Sequence, residues 1–180
     1  MSFEEKTMKT EKIYDGKILK LRIDTVELPD KKYSKREIVE HPGAVGIVPI
    51  TENNEVVLVK QYRKAVEKVL YEIPAGKLEI GEEPLNCAVR ELKEETGIIA
   101  DKMEFISEFY TTPGFCDEKI YLFIAQGLEE GKANPDNDEY IDVVKLKINE
   151  VLSMINDGVI LDSKTIIGIL MAKRVLEGEK

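Results

Sequence analysis

The chain has one histidine and two cysteines in 180 residues, and each scarcity excludes something. Cys87 and Cys116 make no disulfide framework, which fits a reducing compartment and predicts a cytoplasmic protein. Ordinary packing is the expected use of both thiols, ahead of a redox role. A lone His41 leaves no partner for a nucleophilic triad, and with Pro42-Gly43 behind it the residue reads as a strand boundary. No apolar run approaches the roughly 20 residues of a membrane helix, so no membrane association is expected. The opening MSFEEKTMKT carries glutamates and no apolar stretch, so no signal peptide is expected either. Positive charge is also short. Lys and Arg number 26 against 35 Asp and Glu, a net charge of −9, which argues against nucleic acid as a partner.

What is present describes an ordinary globule, 43% hydrophobic and 34% charged. Residues 1–10 are charged and are expected to fray. From Lys17, Leu19, Leu21 and Ile23 share one face, and Val26 and Leu28 continue on the other parity, which predicts a bulge near Asp24-Thr25. Pro29 to Lys32 reads as a turn, and Tyr33 to Glu40 as the returning strand of a hairpin-like arm. A boundary at His41-Pro42-Gly43 divides this arm, 1–42, from a main domain, 43–180.

In that domain, Ala44–Ile50, Val56–Tyr62, Val69–Ile73, Met103–Tyr110, Ile120–Ala125 and Tyr140–Leu146 read as strands. Glu129 to Glu139 reads as an acidic loop. Helices are expected from Pro84, from Asn149 to about Asn156, and after a cap at Asp162 or Ser163. The last of these should turn Ile166, Ile167, Leu170 and Val175 inward. Strands, helix, strands and a terminal helix predict an α/β (α+β) fold, a mixed sheet with helices on both faces.

The segment Gly76 to Ile98 is the most informative. Pro84 suits a first helical turn, and Gly97 suits the left-handed position that ends a helix. At about 100° per residue with Glu91 as zero, Glu94 lies near −60° and Glu95 near +40°. Three carboxylates thus share one arc, which destabilises a bare helix unless a cation sits there. Mg²⁺, Mn²⁺ or Ca²⁺ is the usual partner of clustered hard oxygens. Leu85, Ala88, Val89, Leu92 and Thr96 fall on a separate stripe expected to pack on a sheet.

Gly76, five residues, Glu82, seven residues, then Arg90-Glu91-Leu92-Lys93-Glu94-Glu95-Thr96-Gly97-Ile98 matches the Nudix box at every defined position. The resemblance implies an α/β/α sandwich that hydrolyses a nucleoside diphosphate linked to another group, using two or three divalent cations. Mg²⁺ is the expected ion and Mn²⁺ the alternative. It makes Glu91, Glu94, Glu95 and the Ala75 carbonyl the metal ligands, with Arg90 orienting the glutamates. Gly76, Glu82 and Gly97 would be structural.

Pro113, 16 residues past Gly97, and the run Pro113-Gly114-x-x-x-Glu118 resemble the ADP-ribose pyrophosphatase branch of that family. So do Tyr33 to Ala44 and Lys60-Gln61-Tyr62-Arg63. The branch implies hydrolysis of ADP-ribose to AMP and ribose 5-phosphate, with Glu118 as general base and Arg36, Arg63 and Gly114 on the substrate. It also implies a homodimer that exchanges the N-terminal arm. Another nucleotide sugar, such as a GDP-sugar, is the alternative substrate, and a non-catalytic ADP-ribose sensor the alternative class. Tyr14, Tyr62, Tyr110 and Phe115 are candidates to stack on a base, although core packing is expected for each.

Overall fold

The computed structural model describes residues 3–134 and 140–178. In chain order the elements are β1 (Lys6–Asp15), β2 (Lys20–Glu27), β3 (Tyr33–Glu40), β4 (Ala44–Pro49), β5 (Glu55–Arg63), β6 (Lys68–Glu72) and β7 (Ala75–Lys77). Then come α1 (Pro84–Thr96), β8 (Ile98–Tyr110), β9 (Lys119–Glu130), β10 (Ile141–Lys147), α2 (Ile148–Asn156) and α3 (Ser163–Leu176). The acidic loop expected at 129–139 begins later than predicted, because β9 runs through Glu130; residues 135–139 lie outside the described residues.

Two compact units divide the chain. The first joins the residues up to Gly43 with Tyr110–Lys119. Its sheet is an antiparallel β1-β2-β3, three strands and not a hairpin. The expected fraying of the first ten residues is corrected: from Lys6 onward they form β1, whose partner is β2. All ten residues of β1 are exposed, so no apolar face announces the strand; its backbone hydrogen bonds to β2 hold it. The bulge is also misplaced by sequence. β2 pairs with β3 in unbroken register from Lys20↔Glu40 to Glu27↔Tyr33, and the register shifts fall in β1. The buried residues of β2 are therefore Asp24 and Val26, not the Leu19, Leu21, Ile23 set. Asp24 accepts from Arg22 Nε at 3.2 Å, and Arg22 also holds Glu40.

The second unit spans Ala44–Phe109 and Ile120 onward. It has a four-stranded sheet, β7-β4-β9-β8, and a three-stranded one, β10-β5-β6. β4 is parallel to β9 and antiparallel to β7, so the first sheet is mixed. β4 is buried along its whole length, which requires cover on both faces. Strand parity sorts that cover. Val45, Ile47, Phe123 and Ala125 meet Ala88 and Leu92 of α1 in one core. Val48, Ile50, Leu122 and Ile124 meet Val151 of α2 and Ile169 and Ala172 of α3 in the other. Helix, sheet and helix form the expected sandwich.

Both long helices turn differently from their predicted stripes. In α3 the buried residues are Thr165, Gly168, Ile169 and Ala172; Ile166 and Ile167 pack partly buried against the same core as expected, whereas Leu170 and Val175 are exposed. Asp162 is the cap, accepting from Thr165 N at 2.9 Å. In α1 the buried set is Cys87, Ala88, Leu92 and Glu95, and Leu85 and Val89 are half exposed. At 100° per residue that is a rotation of about 70–80° towards the carboxylates. The packing face and the acidic arc therefore overlap, which decides the geometry of the site.

Candidate active site

α1 starts at Pro84 without a side-chain cap on its N-terminus. It stops at Gly97, whose φ of 74° is the left-handed region that favours glycine. A methyl group at Gly97 would also lie 2.6 Å from Ala133 N, so the stop has a second cause. The residues after β9 pack there, and Asn134 N donates to Glu94 O at 2.9 Å.

The rotation of α1 lays its acidic residues over β7. Ala75 N–H donates to Glu95 Oε2 at 3.0 Å, and Glu95 is only 5% exposed. A Cβ on Gly76 would stand 1.9 Å from the Glu91 carboxyl carbon. Glu91 and Glu95, one helical turn apart, thus converge on two consecutive backbone residues. Gly76 is needed to leave room for a carboxylate and not for an unusual φ. Gly76→Ala should displace the flexible end of Glu91, lowering kcat at least about tenfold. Its thermal midpoint should stay near wild type, and the pair of measurements checks it.

Arg90 ties the loop to the helix. Its Nε and Nη2 grip both oxygens of Glu82 at 3.0 and 2.9 Å, and Nη1 bridges Glu91 Oε1 at 2.7 Å and Glu94 Oε2 at 3.0 Å. Glu82 Oε2 also accepts from Glu79 N–H at 3.0 Å, closing the loop before the helix. The fork of Arg90 fits a carboxylate in two-point fashion that a lysine does not reproduce. Those bonds hold the Glu82 carboxyl down to about 2 and raise Arg90 above its ordinary value.

Because the folded value of Glu82 lies below its unfolded 4.5, its contribution to stability is complete above pH 4.5 and disappears as pH falls towards 2. Glu82→Gln should therefore be less stable than wild type at pH 7, with the gap closing in denaturation curves taken down to pH 2. Cys87 is different. Burial, then the nearby carboxylates, push its thiol up to about 12, and it donates towards Lys77 O at 3.5 Å. It stays a protonated, packed thiol, as its sequence context suggests.

A hard divalent cation fits this donor set by its chemistry: carboxylate oxygens gathered at the Ala75–Gly76 backbone, three of the carboxylates sharing the one positive charge of Arg90. Among the described residues, no three His, Cys, Asp or Glu side chains stand as a ready-made cage. Arg90 bridges Glu91 to Glu94, and Glu95 is turned to Ala75.

The first unit carries Glu118, Arg36 and Gly114 of the predicted residues. Glu118 Oε2 accepts from Thr111 Oγ1 at 2.8 Å, and its Oε1 lies 3.5 Å from His41 Nδ1. That nitrogen itself accepts from Gly43 N–H at 3.2 Å. Arg36 is held by Glu5 through Nε at 2.9 Å and Nη2 at 2.5 Å. It lines a cleft of about 520 Å³ with Arg22, Gly114, Tyr110 and Phe115. Tyr14, Tyr62, Tyr110 and Phe115 are all more than half exposed, so the expected core packing of these four rings is corrected.

Arg63 belongs to the second unit. Both arms of its fork meet Glu72 at 2.7 Å, and Glu72 is 1% exposed. Lys164 Nζ reaches the same carboxylate at 2.5 Å and Asp162 at 3.0 Å. Thr165 Oγ1 links this network to the backbone, accepting from Ile73 N–H at 2.8 Å. Burial opposes ionisation of Glu72, but the bonds from Arg63 and Lys164 outweigh it and hold the carboxyl below its usual value. Sequence reasoning missed Glu72, Lys164, Thr111 and the placement of His41 beside Glu118. Only Asp162, read as a cap, signalled any of it.

Residues 40–166 match the NUDIX domain, and residues 5–39 match the nucleoside diphosphate sugar hydrolase N-terminal domain. The chain is 52% identical to a methanol dehydrogenase activator of Bacillus methanolicus, over 93% of this chain and 91% of that protein. It is 45% identical to an ADP-ribose pyrophosphatase of Bacillus subtilis strain 168, over 99% of each. A crystal structure of an ADP compounds hydrolase superposes with a TM-score of 0.87 at 21% identity, covering 99% of this chain and 97% of that one. That last likeness concerns the fold.

Proposed function

The chain belongs to the Nudix hydrolases, and from that premise we propose that it splits the pyrophosphate bond of ADP-ribose into AMP and ribose 5-phosphate. The convergence of Glu91 and Glu95 on Ala75–Gly76 carries the reading. The full-length similarity to an ADP-ribose pyrophosphatase supports the substrate. Glu91, Glu94, Glu95 and the carbonyl of Ala75 would hold two or three Mg²⁺ ions, with Mn²⁺ as the alternative. When bound, these supply positive charge against the diphosphate and acidify the attacking water. A chain of net charge −9 needs such cations to accept an anionic substrate.

The protein's own residues divide the remaining work. Glu118 takes a proton from water as the water oxygen bonds to phosphorus and the bridging P–O bond breaks towards the other phosphate. Arg90, clamped by Glu82, keeps Glu91 and Glu94 in place. Arg36 and Gly114 contact substrate from their cleft, Arg36 through a planar fork suited to phosphate or an adenine face. Arg63 is assigned a substrate contact as well, from a position fixed by Glu72.

Residues 1–42 act as an arm on a catalytic domain of 43–180, a division the two family matches, meeting at 39 and 40, support. Exposed Phe3, Met8, Ile13 and Ile18 on that arm support a homodimer formed through it. Free Cys87 and Cys116 support a cytoplasmic location. No helix among the described residues is long and apolar enough to cross a membrane.

The test is a substrate panel: ADP-ribose, NADH, diadenosine polyphosphates and GDP-mannose, each with Mg²⁺. The reading requires the highest kcat/KM with ADP-ribose and both products in equal amounts. A second reading, another nucleotide sugar, is favoured by the N-terminal match to nucleoside diphosphate sugar hydrolases, whose description specifies no base; a higher kcat/KM with GDP-mannose would establish it. Release of no product from any of the four would leave the sensor reading. The 52% identity to a methanol dehydrogenase activator favours a partner enzyme as well, tested by whether this chain raises the turnover of a methanol dehydrogenase.

A further inference from the structure

The loop from Thr111 to Glu118 is closed on itself. Thr111 N–H donates to Glu118 O at 3.2 Å, so the two ends of the loop close on each other just past the ends of β8 and β9. Phe115 N and Cys116 N both donate to Thr112 O, at 3.1 and 3.0 Å, folding the Pro113-Gly114 tip over. The loop is then sewn to the end of β3. Val39 N donates to Phe115 O at 2.7 Å, Asp117 N donates to Val39 O at 3.2 Å, and His41 N donates to Asp117 Oδ1 at 2.8 Å. Backbone and side-chain bonds together fix the Cα of Glu118.

They do not fix its carboxylate, which has three rotatable bonds. That constraint comes from the hydroxyl of Thr111, 2.8 Å from Oε2. Thr112 Oγ1 lies 3.4 Å from Thr111 Oγ1, so Thr112 can donate to Thr111 while Thr111 donates onward. His41 Nδ1 lies 3.5 Å from Oε1 and 3.2 Å from Gly43 N, so the Thr111 hydroxyl is the shorter of the two contacts on the carboxylate. One oxygen is thus anchored by a hydroxyl, and the other lies further from its neighbour, the His41 ring.

We infer that Thr111 is the positioning residue of the general base: its hydroxyl holds Oε2 of Glu118 so that Oε1 receives the proton of the attacking water. The inference rests on Glu118 being the base, and it adds that the far wall of the loop, on an arm-bound turn, decides how that base is aimed. A base held by one oxygen keeps its other lone pairs in a single direction, and such pre-arrangement acts on turnover more than on substrate affinity.

The experiment is a double-mutant cycle on the full chain with ADP-ribose and Mg²⁺, with kcat and KM measured separately. Thr111→Val, which keeps the shape and removes the hydroxyl, should lower kcat about tenfold and leave KM within about twofold. Thr111→Ser should restore most of the lost kcat. In a Glu118→Gln background, Thr111→Val should add no further loss, because there is no carboxylate left to aim.

Wild-type kcat in Thr111→Val beside a crippled Glu118→Gln would overturn the positioning role and leave the base standing. Additive losses in the double variant, or a Thr111→Ser as slow as Thr111→Val, would also overturn it. Wild-type kcat in Glu118→Gln would remove the base, and this inference with it. Should Thr111→Val melt early, Thr111→Ala carries the same comparison, with circular dichroism confirming the fold.

Discussion

Glu95→Gln is expected to lose at least about a hundredfold in kcat while remaining folded, the scale of removing one charge-stabilising group from a reacting centre. The prediction separates two jobs done by one side chain. Structurally, Glu95 is a buried acceptor for Ala75 N–H. Glutamine keeps an acceptor oxygen of the same reach, so the α1–β7 contact survives and the melting temperature should stay near wild type. Chemically, the proposed metal site uses Glu95 as a negative hard-oxygen donor, and glutamine is neutral. Steady-state kinetics and a thermal melt on the same sample read the two jobs apart. Near-wild-type turnover would withdraw Glu95 from the metal site.

Glu72→Ala is expected to have the largest effect on stability, about 3 kcal/mol. Its carboxylate is 1% exposed and holds both Arg63 and Lys164, while Lys164 is itself only 14% exposed. Removing the acid leaves two cations without their shared counter-charge. The loss sits at the low end for a broken buried pair, since Arg63 is 41% exposed and Lys164 keeps Asp162. For a chain of this size that corresponds to a midpoint roughly 6–12 °C lower by calorimetry. An unchanged midpoint would mean that the triad contributes nothing beyond its own desolvation.

How far the sequence could be read depended on the distance between partners. The box was legible because its chemistry sits within 23 residues at fixed offsets, and Gly76, Glu82, Arg90 and Glu91 meet as that spacing requires. Which side of α1 is buried was not legible. Periodicity places glutamate outside, yet Glu95 is buried because an N–H of β7 needs an acceptor there. Leu85 and Val89 are left half exposed in consequence.

β1 was illegible for the opposite reason: it is exposed throughout, so nothing in its pattern marks a strand. Pairs far apart in sequence left no trace at all. Glu5 and Arg36 are 31 residues apart and Glu72 and Lys164 92 apart, and local pattern carries no information over such lengths.

The central claim is that acidic side chains from adjacent turns gather at Ala75–Gly76 to take up doubly charged ions. Isothermal calorimetry with Mg²⁺ titrated into wild type and into the Glu91→Gln/Glu95→Gln double variant tests it most directly, each with and without a non-hydrolysable ADP-ribose analogue. The account predicts saturable uptake by wild type, strengthened by the analogue, and none by the variant. Equal heats from both proteins, or no uptake by wild type under either condition, would contradict it.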